Sequence, residues 1–240
     1  MYIKRLHYKE IDSTHSFAKR EEKSLDLYQW TAITADNQSE GRGQSANSWR
    51  NEPGHALLCT LVSPALNWSA DELMARHLAT VIVLCEELAP YAKEGLGIKW
   101  PNDVFMNGRK LAGILTEAIW EGKKCRRYIG SIGVNITAAP AGFAYLGDGL
   151  DVEEIRNLVL KAWVEAMNAV PAATQERFNA LLVHRGKGQW KRADTGELLH
   201  LECVGVDSFG RLGLKTPDGS CAWFHHGEIS WIPENPSGRT

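Results

Sequence analysis

Residues 99–117 read KWPNDVFMNGRKLAGILTE, and this stretch leaves the backbone few choices. Asn107-Gly108 separates two runs that each hold apolar residues, and Asn-Gly is the dipeptide of a two-residue hairpin turn. The wider segment GIKWPNDVFMNGRKLAGILTEAIW reads as strand, turn, strand, hairpin, strand. Lys99 and Lys110 then stand about one hairpin apart, on either side of Asp103. If VFMNGRKLAG folds back on itself, these three side chains can face one cleft. Two cations beside one carboxylate suit a phosphate-bearing substrate, where the acid can bind a metal or accept a proton. The plainer alternative is a surface hairpin with solvated charges, but the surrounding Trp100, Val104, Phe105 and Leu111 argue against full exposure.

The rest of the chain supplies elements around this hairpin. YIKRLHYKEID is a short strand candidate that leads into the helix-capping types Asp12-Ser13-Thr14. TAITADNQ (31–38) reads as a strand, 39–55 as a Gly- and Asn-rich loop, and ALLCTLV (56–62) as an apolar strand. Leu73, Met74, Leu78, Val81, Ile82, Cys85 and Leu88 recur at helical spacing before Pro90. RRYIGSIGVNIT is a further strand. Residues 151–184 are expected to form two helices broken near Pro171, with Ile155, Leu158, Val159, Ala162, Trp163 and Ala166 on one face. From Arg185-Gly186 onward, short strands alternate with Gly-rich turns, as in a small antiparallel barrel. The expected fold is α+β, with a larger domain over 1–185 and a β-rich domain over 186–240.

Composition narrows the function classes. The 240 residues carry a net charge of −2, so no whole-chain field draws the protein to nucleic acid or anionic membrane. Cys59, Cys85, Cys125, Cys203 and Cys221 are scattered, lack metal-site spacing and read as reduced residues of a cytoplasmic protein. The segment MYIKRLHYKEIDS has no apolar signal region, and the apolar part of ATVIVLCEEL is too short to span a bilayer. Trp190, Trp223 and Trp231 are expected in the core, and His225-His226 in a solvated turn.

Three other segments can carry chemistry. Ser13-Thr14-His15 offers hydroxyls at a helix start, which serve equally as a cap or as ligand contacts. Gln38-Ser39-Glu40-Gly41-Arg42-Gly43-Gln44, running on to Trp49, lets a guanidinium and backbone N–H groups approach an anion, although a solvated turn would read the same. It is neither a P-loop nor a dinucleotide fingerprint. Gly130-Ser131-Ile132-Gly133-Val134-Asn135 alternates small residues, so a flat ligand or another strand can lie on it.

Taken in order, these segments resemble the biotin protein ligases. The marks are Ser13-Thr14, Gly41-Arg42-Gly43 with Trp49, Lys99-Trp100-Pro101-Asn102-Asp103, Arg109-Lys110-Leu111-Ala112-Gly113-Ile114-Leu115 with Glu117, and Gly133-Val134-Asn135. KWPND followed seven residues later by KLAGIL is highly specific, and the resemblance covers most of residues 8–137. It implies a catalytic domain like the class II aminoacyl-tRNA synthetases, a mixed sheet with helices, followed by an SH3-like barrel. It implies ATP and Mg²⁺ as cosubstrates, biotin as substrate, and a biotin carboxyl carrier protein as partner, with no tightly bound cofactor. Lys110, Arg42, Asp103 and Lys99 would be catalytic. Ser13, Thr14, His15, Gln38, Gly41, Arg42, Lys110, Gly113, Ile114 and Leu115 would bind biotin. Arg42, Gly43, Trp49, Asn102 and Asn135 would bind the nucleotide, with Trp49 closing over the adenylate. No resident metal site is implied, and Asp103 would either accept the lysine proton or help hold Mg²⁺.

The chain departs from the family pattern at three places. His15 stands where Asn is common, Gln44 where many members have a second arginine, and Ser45-Ala46 where an Arg-Gly-like pair is usual. Fewer cations here are expected to let biotinyl-adenylate escape. The regulatory members' winged helix has no room before Ser13, so the monofunctional type is expected rather than a repressor. The rival readings are a lipoate or octanoate transferase of the same superfamily and a non-catalytic biotin-binding protein. The sequence leaves the oligomeric state open.

Overall fold

A computed structural model describes residues 3–44, 47–170 and 173–233. Ser45, Ala46 and Pro171 lie outside the described residues, as do 234–240 of the expected tail domain. Seven strands form the first sheet: β1 (Ile3–Ile11), β2 (Trp30–Gln38), β3 (Ala56–Val62), β4 (Leu96–Lys99), β5 (Asp103–Met106), β6 (Arg109–Glu121) and β7 (Lys124–Asn135). Their order is β1-β2-β3-β7-β6-β5-β4, with β1 and β2 parallel and every other neighbour antiparallel. Asn107 (φ 49°) and Gly108 (φ 72°) form the β5–β6 turn in left-handed conformations that favour this dipeptide.

Four helices occur among the described residues: α1 (Thr14–Arg20), α2 (Ala70–Leu88), α3 (Val152–Asn168) and α4 (Thr174–Ala180). Ser13 caps α1, and Ser69 with Glu72 forms a reciprocal capping box on α2. The expected α2 stripe is the face that meets the core from Leu78 to Leu88. On α3 the buried face is broader than the sequence indicates. It adds Arg156, Leu160, Val164 and Met167, while Leu158 and Ala162 are only half-buried.

The tail is a five-stranded antiparallel sheet of β8 (Gly186–Arg192), β9 (Leu198–Val206), β10 (Leu212–Lys215), β11 (Cys221–Phe224) and β12 (Ile229–Ile232), in the order β11-β10-β9-β8-β12. Among the described residues no pairing of β11 with β12 closes the sheet into a ring. Trp190 is fully buried as expected, but Trp223 is 41% exposed and lies under the Arg211 guanidinium.

The two sheets share one hydrophobic core that runs from Trp30 to Ile229. Residues 181–183 pair beside β4, through Ile98 N–H to Leu181 O (2.7 Å) and Val183 N–H to Ile98 O (3.0 Å). Asn179 of α4 then holds both polar groups of Val206 on β9. On the central strand of the first sheet, Arg127 of β7 is fully buried and donates to the carbonyls of Glu22, Leu25 and Asp26. Glu22, itself buried, receives Arg126 at 2.9 Å and lies 3.6 Å from Arg127 Nε. Cys59, Cys85, Cys125 and Cys203 are buried, and Cys221 is exposed. Burial pushes the Cys59 and Cys85 thiols up to about 12, and those of Cys125 and Cys203 up to about 11.

Candidate active site

The hairpin read from the sequence forms one wall of a cleft of about 270 Å³. Asp103 stands opposite Lys99 across β4–β5 and opposite Gly113 across β5–β6. A bulge after Val104 sets Phe105 against Lys110 and shifts the register of the turn-proximal pairs. Lys110 Nζ lies 2.8 Å from Asp103 Oδ1 in an ion pair. Lys99 Nζ sits 5.3 Å from the Phe105 ring centre. Asn102 clamps β6 just beyond its pairing with β5: its side-chain amide donates to Ile114 O, and its backbone carbonyl accepts from Ile114 N–H.

The loop after β2 supplies the facing wall. It is folded by Gly43 N–H to Asn47 O (2.9 Å), Trp49 N–H to Gly41 O (2.8 Å) and an Arg42–Ser48 bridge. The Trp49 indole lies on Gly133 of β7, where a Cβ would fall 2.4 Å from the ring, so only glycine admits this contact. Lys110 Nζ is 5.7 Å from the same ring. The sequence expects Trp49 over the adenylate, and the structure places it on the small-residue strand read as a ligand platform.

The inner end of the cleft is polar and buried. Ser13, Thr14 and His15 are each about 1–2% exposed. Thr14 N–H and Oγ1 both donate to Gln38 Oε1, and His15 Nδ1 lies 2.7 Å from Ser131 Oγ. His15 Nε2 is 3.1 Å from Glu117 Oε1. Burial pulls the His15 pKa down against the attraction of Glu117. For Glu117 the effect of burial is outweighed by Lys19, 2.6 Å away, and by His15, which hold its carboxyl below the ordinary range.

Most of the expected site residues therefore converge. Arg42, Gly43, Lys99, Asn102, Asp103, Lys110, Gly113, Ile114 and Leu115 join the Ser13–Gln38 group and Trp49 on the walls. Gly41 and Asn135 do not line the cleft. Gly41 holds the Trp49 backbone, and Asn135, expected near the adenine, is buried with its amide donating to Ala144 O (3.0 Å).

Sequence reasoning missed the tail's share. His226, Ser230 and Trp231 line the cleft; His226 is exposed, as expected of a turn histidine, and stands edge-on to Trp100 at 5.9 Å, while Trp231 is half-buried against the core. His184 also lines it, buried between Trp190 and Trp231 and accepting Trp100 N–H on Nε2 (3.1 Å). Their spacing carries no motif, and only the pairing of 181–183 with β4 brings them there.

A model of the Biotin/lipoate A/B protein ligase family matches residues 8–136, which is more than half of the chain. The chain belongs to this family. Among curated members, it is 28% identical over 225 residues to the "Biotin--[acetyl-CoA-carboxylase] ligase" of Paracoccus denitrificans, covering 87% of this chain and 92% of that one. It is 30% identical over 138 residues to the "Bifunctional ligase/repressor BirA" of Bacillus subtilis, covering 57% of this chain. That match spans only 42% of the Bacillus protein's length. The solved biotin protein ligase of Aquifex aeolicus, in complex with biotin and ATP, superimposes with a TM-score of 0.74 at 23% identity. The overlap covers 96% of this chain and 99% of the Aquifex chain, a likeness of fold. No helix among the described residues is long and apolar enough to cross a membrane.

Proposed function

We propose that this member of the family is a biotin–[biotin carboxyl carrier protein] ligase. The observation that carries the reading is the convergence of Arg42, Lys99 and Lys110 on one cleft whose inner end is a buried cluster of hydroxyl and amide groups. Three cations fit a carboxylate and a triphosphate held together, because proximity and charge neutralisation are what adenylation lacks in water. A biotin carboxylate oxygen attacks the α-phosphorus of ATP, and the bond to pyrophosphate breaks. Lys110 is assigned to the carboxylate and α-phosphate, Arg42 and Lys99 to the remaining anionic oxygens, and Gly43, Trp49 and Asn102 to the nucleotide. Ser13, Thr14, His15 and Gln38 take the ureido ring, while Gly113, Ile114 and Leu115 give apolar walls. Gly41 and Asn135 act through Trp49 and the 144 loop, from behind the wall.

In the second step the amine of a carrier lysine attacks the mixed anhydride, the C–O bond to AMP breaks, and one proton leaves the nitrogen. Asp103 is assigned to that proton, or to Mg²⁺. It is the one carboxylate lining the cleft among the described residues, and it is already paired with Lys110, so Mg²⁺ is best read as arriving on the triphosphate. The tail sheet is assigned to the SH3 type on its five short antiparallel strands, with 1–185 as the catalytic domain and 186–240 as the appended one. The cytoplasm is the compartment that fits buried, reduced thiols.

The experiment is mass spectrometry of a carrier domain after incubation with this protein, biotin, ATP and Mg²⁺, beside a Lys110→Ala control. A gain of one biotin that needs ATP and disappears in the control is the expected result. Biotin binding without transfer would indicate a binding protein. Neither binding nor transfer would redirect the assay to lipoate and octanoate.

A further inference from the structure

The transfer step assigned above begins from an amine, but a lysine side chain is an ammonium in neutral water. With an ordinary pKa of about 10.4, only roughly one in 2,500 carries a free lone pair at pH 7. Two protons must therefore leave the nitrogen before the amide is complete. Asp103, the one carboxylate on the cleft walls among the described residues, can take one, and it is already engaged by Lys110. The other needs a neutral acceptor. Three histidines line the cleft: His15, His184 and His226. His15 is buried at the inner end, with Ser131 on Nδ1 and Glu117 beside Nε2. His184 is buried too, and its Nε2 already accepts from Trp100 N–H. His226 alone of the three is exposed, and neither of its ring nitrogens is hydrogen-bonded among the described residues.

The fold holds this ring in place. His226 stands in the turn between β11 and β12, where His225 N–H donates to the Glu228 carboxylate (2.7 Å) and Glu228 N–H to His225 O (3.1 Å). Its ring meets Trp100 edge-on at 5.9 Å, and the Trp100 indole is itself pinned by its N–H on Gly210 O (2.9 Å). Trp100 lies three residues before Asp103. His226 also lines an adjoining groove of about 380 Å³ that carries the exposed Trp120 and Phe209. It is thus the cleft histidine within reach of a group arriving from solvent. We propose that His226 is a catalytic residue of the transfer step, the acceptor of the first proton from the carrier ammonium. An N–H proton moves to the unprotonated His226 nitrogen and leaves an amine. The amine lone pair forms the bond to the acyl carbon, and the C–O bond to phosphate breaks with its electron pair on AMP. The second proton passes from the nitrogen to Asp103. The groups facing the His226 ring are Asp103 from β5 and His77 from α2. The inner side of the ring is desolvated, which lowers its pKa against the attraction of Asp103 and keeps it in the accepting form at neutral pH. Burial holds His77 at about 4, so it adds no charge there. The inference rests on the ligase reading above and extends it to the second step.

The two steps can be read apart. Single-turnover transfer from purified biotinyl-adenylate to a biotin carboxyl carrier domain reports the second, and biotin-dependent ATP–pyrophosphate exchange reports the first. His226→Gln keeps a polar side chain that cannot take up a proton. At pH 7 it should lower the ratio of transfer to exchange by about a hundredfold. Wild-type transfer should level off above the histidine's titration. The variant depends on amine that is already free, so its rate should keep rising and the deficit should shrink toward pH 9. Added imidazole should restore part of the transfer rate of His226→Ala, which a merely structural role would not allow. An equal fall in both rates would make His226 a structural or nucleotide-contacting residue and overturn the inference, as would unchanged transfer. Wild-type protein with neither exchange nor transfer would overturn the proposed function, and the inference with it.

Discussion

Lys110 lies 2.8 Å from Asp103 in an ion pair on the wall of the cleft, where an incoming phosphate oxygen can compete with the carboxylate as its partner. Lys110→Ala should lower biotin-dependent ATP–pyrophosphate exchange by about a hundredfold or more, because it removes charge stabilisation where charge develops. Exchange within a factor of a few of wild type would remove Lys110 from the adenylation step. Gln44 lines the same cleft and brings no charge to it, so an arginine there would add a cation for the anionic adenylate. Gln44→Arg should reduce the free biotinyl-adenylate counted after a single turnover. Equal amounts from both proteins would locate retention elsewhere. Arg127 serves stability rather than chemistry. Arg127→Met leaves Glu22 buried and three carbonyls without their donor, and should cost about 3–5 kcal/mol in a urea titration.

At the scale of elements, α2 depends on its first turn. Ser69 accepts Glu72 N–H while Glu72 accepts Ser69 N–H, and Ser69→Ala should destabilise the protein by about 1 kcal/mol, read as a lower denaturation midpoint at unchanged slope. Elements of this kind were legible in the sequence because their signals are local. The ALLCTLV run is β3 to the residue, and the Asn107-Gly108 turn fixes β5 and β6. The candidate site was legible for a related reason, since a hairpin carries its own geometry and returns Lys110 to Asp103 wherever it sits. What remained hidden depends on distant partners. Arg156 is an acceptable surface residue in any helical pattern. It is buried on α3 because Glu153 and Asp36 of β2 meet it there. His226 and Trp231 reach the cleft through the docking of a second sheet, which no periodicity in residues 186–233 reports.

For the molecule as a whole, His184 is the joint between the two sheets. Its Nε2 accepts from Trp100 at the end of β4, its ring lies between two tail tryptophans, and burial pushes its pKa down from 6.5 to about 4. The unfolded chain therefore binds this proton first as pH falls. The stability held by neutral His184 is complete above about pH 6.5 and is lost progressively toward pH 4. Thermal midpoints measured from pH 7 to 4 should fall, and the fall should be shallower in His184→Gln. Identical slopes would assign the acid sensitivity to other groups. Because the core is continuous across both sheets, the wild-type scan should also show one cooperative transition rather than two. The distribution of thiols has a practical use. Four are buried, three of them in that core, and Cys221 alone is exposed, on the edge strand at the far end of the tail sheet from β12. The unaltered chain thus has a single address for maleimide chemistry. A fluorophore or surface tether placed there would mark the tail sheet in one defined orientation and leave the β12 side of the cleft untouched.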